Sequence, residues 1–308
     1  MSQGSHARLG LVQVSLAGIL WGTGGLGVQI IREHEPMSVL TISAWRMALA
    51  AVVLLAAVAL LRQAGDVVRL LRERPGPAIL AGVATGSYQA LYFGSVVAVG
   101  VTVATVVSLG LAPVLVTAAE CVRERRLPSR RALGVLSLAL AGLVLVSSTA
   151  GLGETGPRPL LGVLLAAASG TTYAVTTMLA ERIAATTTPL ALTSVATGAG
   201  AMALFPLGLL GARGDAPLVT TDPVAVGTLL YLGVFTMALA YGLLYAGLRT
   251  TTGSAAVVAS LLEPVTAAVV AALVLDERLG ALGILGTVLI LAAVIGLDRR
   301  ETPVTPPP

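Results

Sequence analysis

The sequence predicts an all-α polytopic membrane protein with ten transmembrane helices, arranged as two inverted five-helix repeats. Three observations support this fold class: the composition, the number of long apolar segments, and a similarity between the two halves. Hydrophobic residues make up 56% of the 308 residues and charged residues 11%, and the mean hydropathy is +0.92. A soluble domain carries roughly 25% charged residues. A chain with so few charges cannot cover a water-exposed surface, so we expect it to lie in a membrane.

Ten segments are long and apolar enough to cross a bilayer, which takes about 20 mostly apolar residues per helix. The run from Gly76 to Cys121 is too long for one span, so it must contain a tight turn near Gly100. A second turn, at residues 249–253, separates the eighth span from the ninth. The predicted spans are residues 9–31, 38–61, 76–98, 101–121, 131–149, 159–181, 189–211, 223–247, 252–275 and 280–297.

The arginines test this count, because basic residues concentrate in the cytoplasmic loops of membrane proteins. With the N-terminus in the cytoplasm, fourteen arginines fall in cytoplasmic segments and four in outer segments, while Arg46 lies within a span. One helix more or fewer would reverse every later loop and remove this bias. We therefore expect a multi-pass protein of the cell (plasma) membrane with both termini in the cytoplasm. The bias also accounts for the net charge of +4, so no nucleic-acid binding is expected.

Two segments of the chain read alike over some forty residues. Residues 97–139 align with residues 248–291, and the alignment places Pro113 on Pro264. The spans that precede these segments match less clearly, but each half of the chain contains five candidate spans. The similarity therefore predicts an internal repeat.

The repeats are predicted at residues 1–150 and 151–308. Because five is an odd number, the second repeat must be inserted in the opposite sense to the first. The charges agree: the loop at residues 123–131 carries five arginines, whereas its counterpart at residues 276–280 carries one arginine and two acids. Inverted repeats are typical of secondary transporters, which bind their solute near the midplane between the halves.

Four segments resemble the EamA-type family of the drug/metabolite transporter superfamily: LAGILWGTGG (16–25), SAWRMALAA (43–51), ALYFGSVVAVGVTVATVVSLGLAPVLVTA (90–118) and SAAVVASLLEPVTAAVVAALVLDERLGALGILGTVLILAAVIG (254–296). The resemblance covers nearly the whole chain. It implies a ten-helix carrier that moves small metabolites such as amino acids or drug-like solutes, often outward. The two halves differ at one motif, since Ala112 precedes Pro113 in the first half whereas Glu263 precedes Pro264 in the second.

Two charged residues lie well within predicted spans, where a charge costs about 2.5–3.5 kcal/mol or more and usually faces a cavity or a partner. Glu263 either faces a cavity, where it binds a cationic group or a proton, or has a structural role as a cap or ion-pair partner. Arg46 binds a solute carboxylate, pairs with Glu263, or extends toward the membrane surface.

Two prolines within spans are predicted to kink their helices. Pro264 leaves the carbonyl of Ser260 without its helical donor, and Pro113 does the same to the carbonyl of Leu109. Such backbone is tolerated at membrane depth where it borders a cavity or finds another donor. We therefore expect both kinks to border a central cavity.

Aromatic residues are only 4% of the chain, yet several lie within spans. They either line a solute cavity or belong to the aromatic belt at the membrane surface. These candidates are Trp21, Tyr88, Tyr92, Tyr173, Tyr241 and Tyr245. Weaker polar candidates are Gln89, Thr171, Thr172 and Ser254.

The sequence thus predicts a secondary-active carrier for a small metabolite, an exporter that works by alternating access. A channel and a membrane-embedded enzyme are the alternatives. Cys121 is the only cysteine, and His6 and His34 lie in polar flanks, so we expect no catalytic residue, metal site or cofactor. The expected partners are a small-molecule substrate, the lipid bilayer and protons.

Overall fold

The computed structural model describes residues 3–149, 157–274 and 280–298, and within these ranges the chain forms helices and short connections, without a strand. The helices, in chain order, are α1 (Gln3–Gly22), α2 (Gly24–His34), α3 (Val39–Leu60), α4 (Ala64–Glu73), α5 (Pro75–Val99), α6 (Val101–Glu124), α7 (Arg130–Thr149), α8 (Pro159–Ala184), α9 (Pro189–Gly211), α10 (Pro223–Tyr231), a π-helical segment (Leu232–Leu239), α11 (Ala240–Gly247), α12 (Gly253–Ala259), α13 (Leu262–Val274) and α14 (Ala281–Asp298).

Eight helical stretches among the described residues are long and apolar enough to span a membrane. Three of them combine elements: α1 with α2, α10 with the π-helical segment and α11, and α12 with α13. The remaining two predicted spans are also helical. However, α14 has a shorter apolar stretch, Ala281–Leu297, and α5 is less apolar because it carries Thr85, Ser87 and Gln89. The all-helical membrane class is confirmed, whereas the count of ten crossings stays a prediction.

Helices α3 and α9 pack against each other in opposite directions. The hydroxyl of Thr41 donates to the carbonyl of Gly208 at 2.9 Å. Further along α3, Met47 lies against Gly200 of α9. Residue numbers rise along one helix while they fall along the other, so the second span of the first half is antiparallel to the second span of the second half.

The last helices of the two halves, α7 and α14, are antiparallel in the same way. A Cβ atom added to Gly142 would lie 2.7 Å from the carbonyl oxygen of Gly286, which means that the two backbones cross in direct contact. Near the other end of the pair, Arg131 donates to the carbonyl of Gly296. Glycine permits such a close approach of two membrane helices.

One contact between the two halves occurs twice, with the roles of the halves exchanged. Gly18 of α1 lies against the carbonyl of Ser260, and Gly170 of α8 lies against the carbonyl of Ser108 in α6. The two glycines are as far apart along the chain as the two serines. Two repeats related by a twofold axis would produce this pairing, because each glycine contacts a serine of the other half.

Large apolar side chains cover the outside of the bundle. Leu55, Leu133, Leu164 and Ile284 are each about half exposed, as expected for helix faces that contact lipid. Four features of the sequence prediction lie outside the described residues: the boundary between the repeats, the acidic turn that contains Arg278, and the arginines at positions 299 and 300.

Candidate functional site

A cavity of about 280 Å³ lies in the middle of the bundle, between elements of both halves. The first half contributes α1, α2, α3, α5 and α6, and the second half contributes α8, the π-helical segment, α11 and α13. Seven of the eight residues predicted to contact a solute line it: Trp21, Arg46, Tyr88, Tyr92, Tyr173, Tyr241 and Glu263. Residues far apart in the sequence therefore converge on one site.

Tyr245 is the predicted residue that does not line this cavity. It is 1% exposed and packs in the core behind Tyr241, with the two ring centroids 6.0 Å apart. The spacing of four residues places both rings on one face of α11. Tyr241 occupies the cavity end of that face, and Tyr245 supports it from the core.

Aromatic rings form two walls of the cavity. Trp21 meets Tyr241 edge to face, with centroids 5.1 Å apart, and Tyr88 stacks on Tyr173 at the same centroid distance. Each pair joins a helix of the first half to a helix of the second half. Aromatic pairs with this geometry contribute about 0.5–1.5 kcal/mol beyond their buried area. The walls are therefore apolar surfaces to which both halves contribute.

Two tyrosine hydroxyls form hydrogen bonds with side chains of neighbouring spans. The hydroxyl of Tyr173 donates to Ser260 at 3.1 Å, and the hydroxyl of Tyr92 pairs with that of Thr105 at 2.8 Å. These hydrogen bonds satisfy the polar ends of both rings, so the rings present mainly their apolar faces to the cavity.

Arg46 extends from α3 into the cavity and contacts a residue that the sequence indicates only weakly. Its Nη2 donates to the side-chain oxygen of Gln89 at 2.8 Å, while its Nε atom is buried without a hydrogen-bond partner among the described residues. Gln89 also lines the cavity. A neutral amide costs less in lipid than a charge does, which is why Gln89 is a weaker signal in the sequence than Arg46.

Glu263 lines the cavity from α13 and is partly exposed within it. Arg46 and Glu263 form no direct ion pair among the described contacts, although both line the same space. Of the alternatives for Arg46, the geometry thus favours neither pairing with Glu263 nor extension to the membrane surface. Both charged side chains border the cavity.

The backbone before Glu263 explains how this side chain reaches the cavity. The ninth span is interrupted at Ser260 and Leu261, between α12 and α13. The N–H of Glu263 donates to the carbonyl of Ser260 at 2.9 Å and so replaces the donor that Pro264 lacks. Gly22 of α1 packs against the carbonyl of Glu263. By contrast, α6 continues as one helix through Pro113.

The π-helical segment is a feature that the sequence does not predict. Thr236 and Met237 line the cavity from this segment, directly before Tyr241. Gly233 packs against the carbonyl of Arg46, so the wider turn brings the eighth span onto α3 at the site. Such turns often occur at functional sites, but no residue pattern marks them in a sequence.

The cavity extends toward the end of the bundle at which α3 and α6 begin, where Val39 and Val101 line it. At the opposite end, Glu120 of α6 accepts a hydrogen bond of 2.9 Å from the N–H of Ser254. Glu181 of α8 lies beside the same first turn of α12. The two carboxylates, one from each half, lie at the N-terminus of α12, where negative charge is favourable. Helices of both halves therefore meet closely at this end.

Within the described residues, no three His, Cys, Asp or Glu side chains converge so that they could hold a metal ion. The cavity itself offers one guanidinium, one carboxylate and several aromatic rings. This arrangement can bind a small organic solute through charge and apolar contact.

Comparisons with known proteins identify the family and the fold. The sequence model of the EamA-like transporter family matches the chain twice, over residues 8–148 and 160–297. An uncharacterized transporter, YwfM of Bacillus subtilis (strain 168), is 30% identical over 283 residues, which is 92% of this chain and 91% of the relative. A crystal structure of a protein with 20% identity superposes with a TM-score of 0.76 and covers 96% of each chain, which supports the fold alone.

Proposed function

Because the chain belongs to the EamA-like transporter family, we propose that it is a secondary-active carrier that exports a small metabolite across the cell membrane. The observation that carries the proposal is the cavity between the two halves, with Arg46, Glu263 and the aromatic walls facing it. The repeats are residues 1–150 and 151–308, and they cross the membrane in opposite senses with both termini in the cytoplasm.

The volume of the cavity supports a small solute. Pockets for drug-sized ligands occupy about 300–1,000 Å³, and this cavity, at about 280 Å³, lies at the lower limit. The guanidinium of Arg46 binds an anionic group of the solute, and Glu263 binds a cationic group or a proton. The rings of Trp21, Tyr88 and Tyr241 enclose its apolar part.

The packing supports alternating access. The cavity extends toward one end of the bundle, which is the outer end in the predicted topology, while α6, α8 and α12 meet closely at the other end. Rocking of two halves related by a twofold axis would exchange these two ends. The solute would then reach the same cavity from the cytoplasm.

A channel is the alternative, and transport kinetics separate the two. An untargeted comparison of metabolites in cells with and without the protein identifies the solute, which is then tested in proteoliposomes. A carrier gives a saturable flux that is accelerated when unlabelled solute is present on the opposite side. A flux that rises linearly with concentration and shows no such counterflow would indicate a channel.

We expect Arg46→Ala to reduce uptake of a carboxylate solute about tenfold or more, because a hydrogen-bonded charge in the site is lost. Transport of a cationic solute by the same variant should change less. Equal losses for acids and amines would contradict the assigned role of Arg46. An absence of flux of any solute through the unmodified protein would contradict the carrier itself.

A further inference from the structure

Gln89 is a second polar side chain in the cavity, beside Arg46. We propose that Gln89 sets the charge selectivity of the cavity: it holds Arg46 through a neutral acceptor and so leaves the positive charge available to an anionic group of the solute. This inference rests on the proposed function, since it concerns the same cavity.

Both polar atoms of the Gln89 side-chain amide have a hydrogen-bond partner. Gln89 is 3% exposed on α5, and its oxygen accepts from Nη2 of Arg46 at 2.8 Å. A guanidinium has only donors, so the amide must turn its oxygen toward Arg46. The amide nitrogen then donates to the sulfur of Met47 at 3.6 Å. Met47 follows Arg46 in α3, and this second contact locks the orientation.

The positive charge of Arg46 is not balanced by a contacting anion. Gln89 is uncharged, and Nε of Arg46 has no hydrogen-bond partner among the described residues. The titratable side chains that face Arg46 are Glu263, Tyr88 and Tyr241, and Glu263 forms no direct ion pair with it in the part of the chain that the structure describes. The third nitrogen, Nη1, lies beside Gly24, where there is no side chain.

A guanidinium held in this way favours an anionic ligand. Removing a charge from water without a contacting partner is costly, and a carboxylate in the cavity would supply that partner. Glutamate at position 89 would have the shape of glutamine but would itself be the partner. The variant would therefore neutralise Arg46 in the empty cavity and, together with Glu263, leave the site selective for cations.

The test uses two probes of similar size and opposite charge, benzoate and benzylammonium, titrated at neutral pH into the purified full-length protein by calorimetry. The unmodified protein should bind benzoate about tenfold or more tightly than benzylammonium, because a charged hydrogen bond distinguishes them. Gln89→Glu should reverse this order. Gln29→Glu, the same change at an exposed glutamine of α2, should leave it unaltered.

A second variant separates the effect of the added charge from the effect of the lost hydrogen bond. Gln89→Leu removes the acceptor without adding a charge, so benzoate should remain the preferred probe while its affinity falls severalfold. The proposal is overturned if Gln89→Glu keeps the original order, if Gln89→Leu also reverses it, or if the unmodified protein prefers benzylammonium or binds neither probe.

The result is independent of the transport assay. Counterflow in proteoliposomes without a reversal by Gln89→Glu would refute the role of Gln89 and leave the carrier intact. A reversal without counterflow would refute the carrier and leave intact the role of Gln89 in the charge selectivity of the cavity.

Discussion

Arg46 and Glu263 line the same cavity from different halves of the molecule, the first on α3 and the second on α13. A lone charge within a membrane is costly, and neither of these forms an ion pair among the described residues. We therefore propose the solute as the partner of Arg46, and the solute or a proton as the partner of Glu263. We expect this arrangement of a binding site rather than of a structural ion pair, in which both charges would be neutralised permanently.

Replacing Glu263 tests whether this carboxyl carries the proton. Glu263→Gln keeps the shape and removes the protonatable group, so we expect a pH-dependent rate of transport in the unmodified protein and a pH-independent rate in the variant. The measurement is the initial rate of uptake of the identified solute by proteoliposomes across the neutral pH range.

The control for this prediction is Glu33→Gln, because Glu33 is an exposed acid of α2 whose side chain accepts a hydrogen bond from Gln29. The other groups that face the Glu263 carboxyl stay in place in the variant, namely Arg46, Tyr88, Tyr92, Tyr173 and Tyr241. An identical pH profile in Glu263→Gln and in the unmodified protein would show that Glu263 does not couple transport to protons.

At the scale of residues, the sequence points to side chains whose chemistry is rare in lipid. Charges and rings within spans are few, so Arg46, Glu263 and Trp21 can be selected from the sequence alone. Gln89 and Thr236 cannot be identified in this way, since neutral polar side chains also occur at interfaces between membrane helices. Tyr245 shares the pattern of Tyr241 and yet lies in the core, because helical spacing fixes a face but not the depth along it.

At the scale of elements, the irregular backbone is concentrated around the cavity. The first span is interrupted at Thr23, the ninth at Ser260 and Leu261, and the eighth contains the π-helical segment. The sequence predicts a proline kink in the ninth span, which is interrupted there, and another at Pro113, through which α6 continues as one helix. The π-helical segment packs Gly233 against α3, a tertiary contact that the local sequence does not encode.

The contact between α7 and α14 gives a prediction about stability. Gly142→Ala places a Cβ atom 2.7 Å from the carbonyl oxygen of Gly286, so the two backbones must separate. Overpacking of this kind costs about 1–3 kcal/mol. We expect a lower midpoint of thermal unfolding in detergent for this variant.

Gly134→Ala is the matched control for this stability prediction, because it lies in the same helix and a Cβ atom there meets no other atom within 4 Å. Alanine has a higher helix propensity than glycine by about 1 kcal/mol. The control should therefore unfold at the same or a higher temperature. If both variants shift the midpoint equally, the close approach of α7 and α14 is not a determinant of stability.

At the scale of the whole molecule, the composition and the arginine bias predict an all-helical membrane protein, and the repeat predicts its internal symmetry. The antiparallel contacts of α3 with α9 and of α7 with α14 are the arrangement that two oppositely inserted halves would have. We expect the location of the cavity to follow from this arrangement. Its detailed lining does not, because the halves have diverged: the first half has Ala112 before its proline where the second has Glu263.

The most direct test of the inverted arrangement compares two positions that align between the repeats, Arg126 and Arg278. Cysteine is introduced at one or the other in a Cys121→Ser background, and a membrane-impermeant maleimide is applied to right-side-out and inside-out vesicles. Oppositely inserted repeats predict that the cysteine at position 126 is labelled only from the cytoplasmic side and the cysteine at position 278 only from the outside. Labelling of both cysteines from the same side would contradict this arrangement.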